Sequence, residues 1–258
     1  MTGPDRRETD PGAGRGAGRL AALVPFTNTN LEPDLALLAP PGVSLHVARL
    51  GGYDVDAVPD EAQMGGLGEA ALEEPLRLVA GVRPDVILYG CTSATLAHGP
   101  AFDAALSARA AALAGAAVVT AAGAVVAACR HLGLQRVAFA SPYVPSLNDR
   151  AIAFLAHAGI ETVHRAEVPG ALGNHEQGAL ASEDVLALGR RAQHPAAEGI
   201  VLSCTDMRAV EIVERLEAEA GLPVITSNQA LIFAALPYLR HAQPRRPCGH
   251  LLASARAA

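Results

Sequence analysis

Val86-Ile87-Leu88-Tyr89-Gly90-Cys91-Thr92 reads as a buried parallel strand that ends in a turn: four apolar β-prone residues, a glycine, then two small side chains. Ile200-Val201-Leu202-Ser203-Cys204-Thr205 repeats that pattern later in the chain. Two further pairs keep the same order, Val118-Val119-Thr120 with Val224-Ile225-Thr226, and Val24-Pro25 with Ser141-Pro142. The separation within each pair is close to the size of a compact unit, about 100 residues. Two similar lobes are therefore expected, each carrying one Cys-Thr turn.

Outward from these stretches, short β-rich runs alternate with longer helical patterns, the rhythm of parallel strands covered by helices. The strands are expected at Leu20–Val24, Val43–Ala48, Val86–Tyr89, Ala116–Val119, Arg136–Ala140, Thr162–Ala166, Gly199–Leu202 and Pro223–Ile225. Helices fill the intervals. Arg208 to Glu219 has Val210, Ile212, Val213 and Leu216 near helical spacing, with Gly221-Leu222-Pro223 to stop it. The fold class is α/β, with two pseudo-symmetric lobes, each a mostly parallel sheet flanked by helices. Residues 20–121 plus 226–258 are expected to form the first lobe and 122–225 the second, with the active site in the cleft between them.

Of the 258 residues, 50% are hydrophobic and 18% charged, too apolar a composition for disorder. The net charge of −6 and the lack of a dense basic stripe argue against nucleic-acid and membrane-surface partners. All 20 basic residues are arginine. This chain alone therefore cannot build a Schiff-base lysine, a P-loop or a kinase phosphate lysine. Cys91, Cys129, Cys204 and Cys248 form no CxxC pair, and reduced thiols are expected. Met1 to Gly18 is polar and lacks an apolar leader core, and no long uncharged span follows, which predicts a cytoplasmic protein. Residues 1–19 read as a disordered tail, in which Gly12 to Ala17 mimics a dinucleotide fingerprint without the strand that must precede it.

In a parallel α/β sheet the ligand lies beyond the carboxyl ends of the strands, and both Cys-Thr turns fall there. A thiol facing a helix N-terminus and free amides is favoured as thiolate, a nucleophile or base near neutral pH. Cys91 and Cys204 would then face each other across the cleft. Thr92, Ser93, Thr205 and neighbouring amides would form a nest for a carboxylate. Cys129, inside the apolar helix Ala121 to His131, reads as core, and Cys248 lies in a Pro- and Arg-rich tail without a motif. No GxSxG elbow, HExxH pair or EF-hand loop is present. The histidines are scattered, with His98 and His175-Glu176 expected in loops, so no metal site is expected. Gly51 to Gly68, with Tyr53, Asp54 and Asp56, reads as a mobile loop or lid.

Six segments together resemble the aspartate/glutamate racemase superfamily, and most closely its maleate cis-trans isomerase branch. Pro25-Phe26-Thr27-Asn28-Thr29-Asn30-Leu31-Glu32 resembles a P-x-x-N-T-x-x-E segment. Gly90-Cys91-Thr92-Ser93 and Ser203-Cys204-Thr205 resemble the two cysteine motifs, and Ser141-Pro142-Tyr143 a T-P-Y segment. Asn174 stands at the place of a substrate-loop asparagine, and Thr226-Ser227-Asn228-Gln229-Ala230 resembles an S-S-N-Q-A helix start. The resemblance implies a cofactor-independent homodimer acting on a small carboxylate. Cys91 would add to the substrate double bond and Cys204 would serve as acid/base. Asn28, Tyr143 and Asn174 would bind the carboxylates with Thr92, Ser93 and Thr205.

Local chemistry keeps other roles open, since Asn28 also suits a helix cap or Asx turn and Asn174 a turn. Asp206 stands where many relatives carry asparagine, and a carboxylate beside an anionic substrate is unfavourable unless turned away. A two-cysteine racemase of an amino acid or its derivative, including ectoine-utilisation relatives, is the alternative activity. An arylmalonate-type decarboxylase ranks lower, because those relatives keep only the second thiol. A non-catalytic carboxylate-binding protein is the reading from another class.

Overall fold

A computed structural model of the protein describes residues 16–52, 55–70, 72–240, 243–246 and 248–255. Residues 1–15 of the tail expected at 1–19, with most of its glycine-rich decoy, lie outside the described residues, as do Tyr53 and Asp54, whereas Gly18 and Arg19, expected in the tail, open the first strand. The first half runs β1 (Gly18–Pro25), α1 (Leu31–Leu38), β2 (Val43–Leu50), α2 (Glu61–Ala70), α3 (Glu73–Ala80), β3 (Val86–Tyr89), α4 (Thr92–His98), α5 (Pro100–Ala114) and β4 (Ala117–Thr120). Helix α6 (Ala121–His131) leads into the second half: β5 (Arg136–Ser141), α7 (Pro145–His157), β6 (Glu161–Glu167), α8 (Asn174–Gly178), α9 (Ser182–Ala192), β7 (Gly199–Leu202), α10 (Val213–Ala220) and β8 (Val224–Thr226). Helices α11 (Ser227–Ala235) and α12 (Gly249–Ser254) close the chain.

The eight strands form two four-stranded parallel sheets ordered β2-β1-β3-β4 and β6-β5-β7-β8. The two orders are the same, so the repeated sequence pattern is a repeated topology. All eight expected strands are present, with ends differing by at most two residues. Strands β3 and β7 are buried along their whole length, which is why they read as unbroken apolar runs. In each sheet the chain leaves the first strand toward one edge and returns on its other side, creating a switch point between β1 and β3 and between β5 and β7. The loops at those two points carry Asn28, Cys91, Tyr143 and Cys204.

Helices α6 and α11 start at equivalent positions and pack against each other where the sheets meet. Thr120 caps α6 by accepting from the Gly123 amide at 3.0 Å. Thr226 caps α11, accepting from the Gln229 amide at 3.1 Å while Gln229 Oε1 accepts from the Thr226 amide at 3.0 Å. Gln229 also donates to the Cys248 carbonyl at 2.7 Å, tying the C-terminal segment to the core. No helix among the described residues is long and apolar enough to cross a membrane.

Several local expectations are corrected. The helix expected at Arg208–Glu219 starts as a 3-10 turn over Val210–Ile212 before α10. Val210 and Ile212 are both buried, and a surface α-helix sets residues i and i+2 on different sides. His98 ends α4, stacked on Phe102 with ring centroids 4.0 Å apart, and His175-Glu176 lies within α8. Cys248 is fully buried rather than in a loose tail, and it precedes α12. Half of the expected loop 51–68 is helix α2. Its start is a capping box: Asp60 Oδ1 accepts from the Gln63 amide at 2.9 Å and Gln63 Oε1 accepts from the Asp60 amide at 3.2 Å.

Candidate active site

Cys91 and Cys204 line one small cavity with Pro25, Thr27, Asn28 and Tyr143, and with Pro59, Met64 and Leu67 of the lid segment. Cys91 is the N-cap residue of α4, with extended backbone at φ −128° and ψ 105°. The amides of Ala94 and Ser93 therefore point at its sulfur, and Ser93 Oγ lies 3.6 Å away. Cys204 differs from the expectation, because no helix begins after β7 until Val210. Its anion stabiliser is the Asp206 amide, which donates to Sγ at 3.3 Å.

Burial pushes both thiols up from the ordinary cysteine value. The Ser93 hydroxyl and helix amides pull Cys91 back, whereas Asp206 pushes Cys204 further up. Against that burial, the donors that favour a thiolate are the Ser93 hydroxyl and the helix amides at Cys91 and the Asp206 amide at Cys204. Cys129 is pushed by burial to about 12 and faces no cleft, as expected for a core thiol.

The Tyr143 phenol, itself buried and held well above its ordinary pKa by burial, sits beside both thiols and hydrogen-bonds the Ser203 and Thr92 hydroxyls. Thr92 Oγ1 donates to Ser227 Oγ at 3.1 Å, and Ser93 Oγ donates to Met64 Sδ at 3.0 Å. Thr205 Oγ1 donates to the Gly90 carbonyl at 2.9 Å and accepts from Asn28 Nδ2 at 3.1 Å. Thr92 and Thr205 therefore brace the cleft with their hydroxyl protons. Asn28 takes the Asx-turn role as well, its Oδ1 accepting from the Asn30 and Leu31 amides at 3.1 and 2.9 Å. One Nδ2 hydrogen beyond the Thr205 bond remains for the cavity.

Asn174 holds the lid. Its Nδ2 donates to the Val55 and Ala57 carbonyls at 3.3 and 3.2 Å, drawing the segment after β2 across the cavity. Arg150 of α7 pairs with Glu61 of α2 at 2.5 Å, a second tie from the other half of the molecule. The Pro59, Met64 and Leu67 wall was missed in the sequence. Its signals were the Asp60-x-x-Gln63 capping box and the i, i+3 spacing of Met64 and Leu67 inside a glycine-rich stretch.

Asp206 lines the cavity, yet its Oδ1 turns to the amides of Thr29 and Asn30 at 2.9 and 3.1 Å and to Asn30 Nδ2 at 3.0 Å. No arginine or histidine is among the described lining residues. A bound anion would meet neutral dipoles: the phenol, an asparagine amide, hydroxyls and backbone N–H groups. The cavity encloses about 40 Å³. At roughly 10–15 Å³ per water this form of the cleft has room for a few waters. A larger groove of about 500 Å³, beside Asp103, His131, Phe233 and Tyr238, contains neither Cys91 nor Cys204.

Comparison with known proteins matches residues 21–252 to the family described as arylmalonate decarboxylase. The chain is 30% identical over 231 residues to the maleate isomerase of Nocardia farcinica, covering 86% of this chain and 90% of that one. It is also 30% identical over 214 residues to the arylmalonate decarboxylase of Bordetella bronchiseptica, covering 81% and 82%. Among solved structures, the maleate isomerase of Pseudomonas putida S16 superposes with a TM-score of 0.83 at 22% identity, covering 94% of this chain and all of that one, and shares the fold. A cysteine-to-serine mutant of the Nocardia farcinica maleate cis-trans isomerase superposes at 0.80 with 25% identity, covering 93% and 98%, and holds a covalently bound succinylcysteine intermediate.

Proposed function

The chain belongs to the arylmalonate decarboxylase family, and on that premise we propose that it is a cofactor-independent cis-trans isomerase of a small unsaturated dicarboxylate, converting maleate to fumarate. The observation that carries this reading is the pairing of Cys91 and Cys204 in one small cleft lined by neutral donors. The Nocardia farcinica relative, with its succinylcysteine, supports a thiol that bonds to the substrate carbon.

In this mechanism Cys91 Sγ, as thiolate, forms a bond to one alkene carbon. The π electrons move to the other carbon, delocalised into its carboxylate, and that carbon takes a proton from Cys204. The former double bond is now single and rotates. Cys204 as thiolate then recovers the proton, the C–S bond breaks, and fumarate leaves. One proton passes from Cys204 to the substrate carbon and back, and none is consumed. The Ala94 and Ser93 amides stabilise the departing and attacking Cys91 thiolate, and Tyr143 and Asn28 donate to the carboxylates with Ser93. Thr92 and Thr205 keep those donors in place, while Asn174 holds the lid down and excludes water. The same reading carries the expectation of a homodimer acting in the cytoplasm.

The test is a proton NMR time course of the purified, reduced protein with maleate. Growth of the fumarate vinyl signal is expected, and its absence at high protein concentration would overturn the reading. Replacing Asn174 with alanine removes two lid hydrogen bonds, each contributing about 1 kcal/mol. KM is expected to rise about tenfold with a smaller change in kcat, together with faster amide exchange over residues 55–67. Unchanged exchange there would refute the latch.

A further inference from the structure

The hydrogen bond into Cys204 continues beyond Asp206. The N–H that donates to Sγ belongs to the Thr205–Asp206 peptide, and the other end of that peptide, the Thr205 carbonyl, accepts from Asn228 Nδ2 at 3.1 Å. The same nitrogen donates to Asp34 Oδ2 at 2.7 Å. One side-chain amide and one peptide plane thus connect a carboxylate on α1 to the thiol. Asp34 and Asn228 are both buried, and neither lines the cavity.

Asn228 Oδ1 is buried without a hydrogen-bond partner, an arrangement that is costly in a protein interior. The two acceptors on the other side explain it. With an ionised carboxylate and a carbonyl both facing the amide, only the NH2 group can face them. Turned over, Oδ1 would confront both acceptors.

We propose that Asp34 and Asn228 are positioning residues for the second thiol: the ionised Asp34 locks the Asn228 amide, which fixes the Thr205–Asp206 peptide with its N–H aimed at Cys204, and protonation of Asp34 releases that lock. The proposal rests on the reading of Cys204 as the acid/base partner. A protonated Asp34 is a donor, so it stabilises the turned-over amide by giving its proton to Oδ1. The Thr205 carbonyl then loses its partner and the peptide is free to tilt away from the sulfur.

The surroundings place this switch in the working range. Burial pushes Asp34 up to about 7, against the Asn228 hydrogen bond, with Glu211 adding to the rise and Arg208 opposing it. Arg208 and Glu211 are paired with each other at 2.7 Å. From the C-terminal segment Cys248 faces Asp34, while Arg245 donates to the Ala39 carbonyl just past α1; Glu32, also on α1, pairs with Arg49. The sign follows: as pH falls through about 7, Asp34 takes its proton, Cys204 loses its aligned donor, and thiolate formation there becomes harder.

Alkylation of each cysteine by iodoacetamide, resolved by peptide mass spectrometry across about pH 6 to 9, tests this. In the unmodified protein, Cys204 labelling is expected to show an acid step that Cys91 labelling lacks. Asp34→Asn should remove the step, and both it and Asn228→Ala should slow Cys204 labelling about tenfold at about pH 8, the value of one hydrogen bond to an anion, with Cys91 unchanged. In turnover, kcat should fall in both variants while KM holds. Retention of the acid step in Asp34→Asn, or equal slowing at Cys91 and Cys204, overturns the proposal. If a variant fails to fold, the acid step in the unmodified protein decides. Failure of the protein to convert maleate would sink the proposed reaction, while the labelling arm would still decide the relay.

Discussion

Cys91→Ala is expected to lower maleate turnover by about four orders of magnitude or more, because it removes the thiol that forms the bond turning the alkene into a rotatable single bond and leaves Cys204, placed as its proton partner, as the remaining thiol of the cleft. Cys204→Ala is expected to fail differently. Cys91 still adds, and water still protonates the neighbouring carbon, but no base stands ready to take that proton back. Turnover should drop by about 10²- to 10⁴-fold, the range for loss of a general acid/base. Intact-mass spectrometry should show a chain heavier by one maleate, bound at Cys91. Adduct in Cys91→Ala, or none in Cys204→Ala, would reverse the two roles. The geometry favours the stated order: Cys91 has a helix N-terminus behind it, whereas Cys204 has one amide and the Tyr143 phenol set against a neighbouring carboxylate that disfavours its anion.

The fold was legible because the features that encode it are local and repeated. Val86–Tyr89 and Gly199–Leu202 are unbroken apolar runs since both faces of those strands are covered, and their recurrence announces two copies of one topology. The cysteines were legible for the same reason, standing at the ends of the two clearest strands. What the sequence concealed is long-range. Asn174 lines the cavity as expected of a ligand-facing residue, and what the sequence does not show is that its amide also holds lid carbonyls more than a hundred residues away in the chain. Asp206 was a puzzle beside an anion until the structure turned its carboxylate onto the Thr29 and Asn30 amides. A helix N-terminus that favours a thiolate is visible in sequence, whereas the burial that opposes it is not. The lid helix is signalled locally by the Asp60-x-x-Gln63 capping box, though its glycines weaken the helical pattern.

Gly90→Ala links these levels, and it is expected to cost about 2–4 kcal/mol of stability and most of the activity. The strain is steric, since Gly90 has no left-handed φ. A Cβ at this position would lie 2.3 Å from Leu31 Cδ2 and 2.8 Å from the Leu23 carbonyl oxygen. The leucine tip can move, but the carbonyl is backbone in the middle of β1 and accepts the Gly90 amide at 2.9 Å. Relief therefore requires β3 to slide away from β1 at the switch point, taking Cys91 with it. The displacement reaches the other sheet too, because the Gly90 carbonyl accepts the Thr205 hydroxyl that also orders Asn28. One methyl group should thus disturb both thiols at once. Thermal unfolding and turnover measured together check this: an alanine variant with unchanged melting temperature and kcat would show that the close approach of β1 and β3 does not set the cleft.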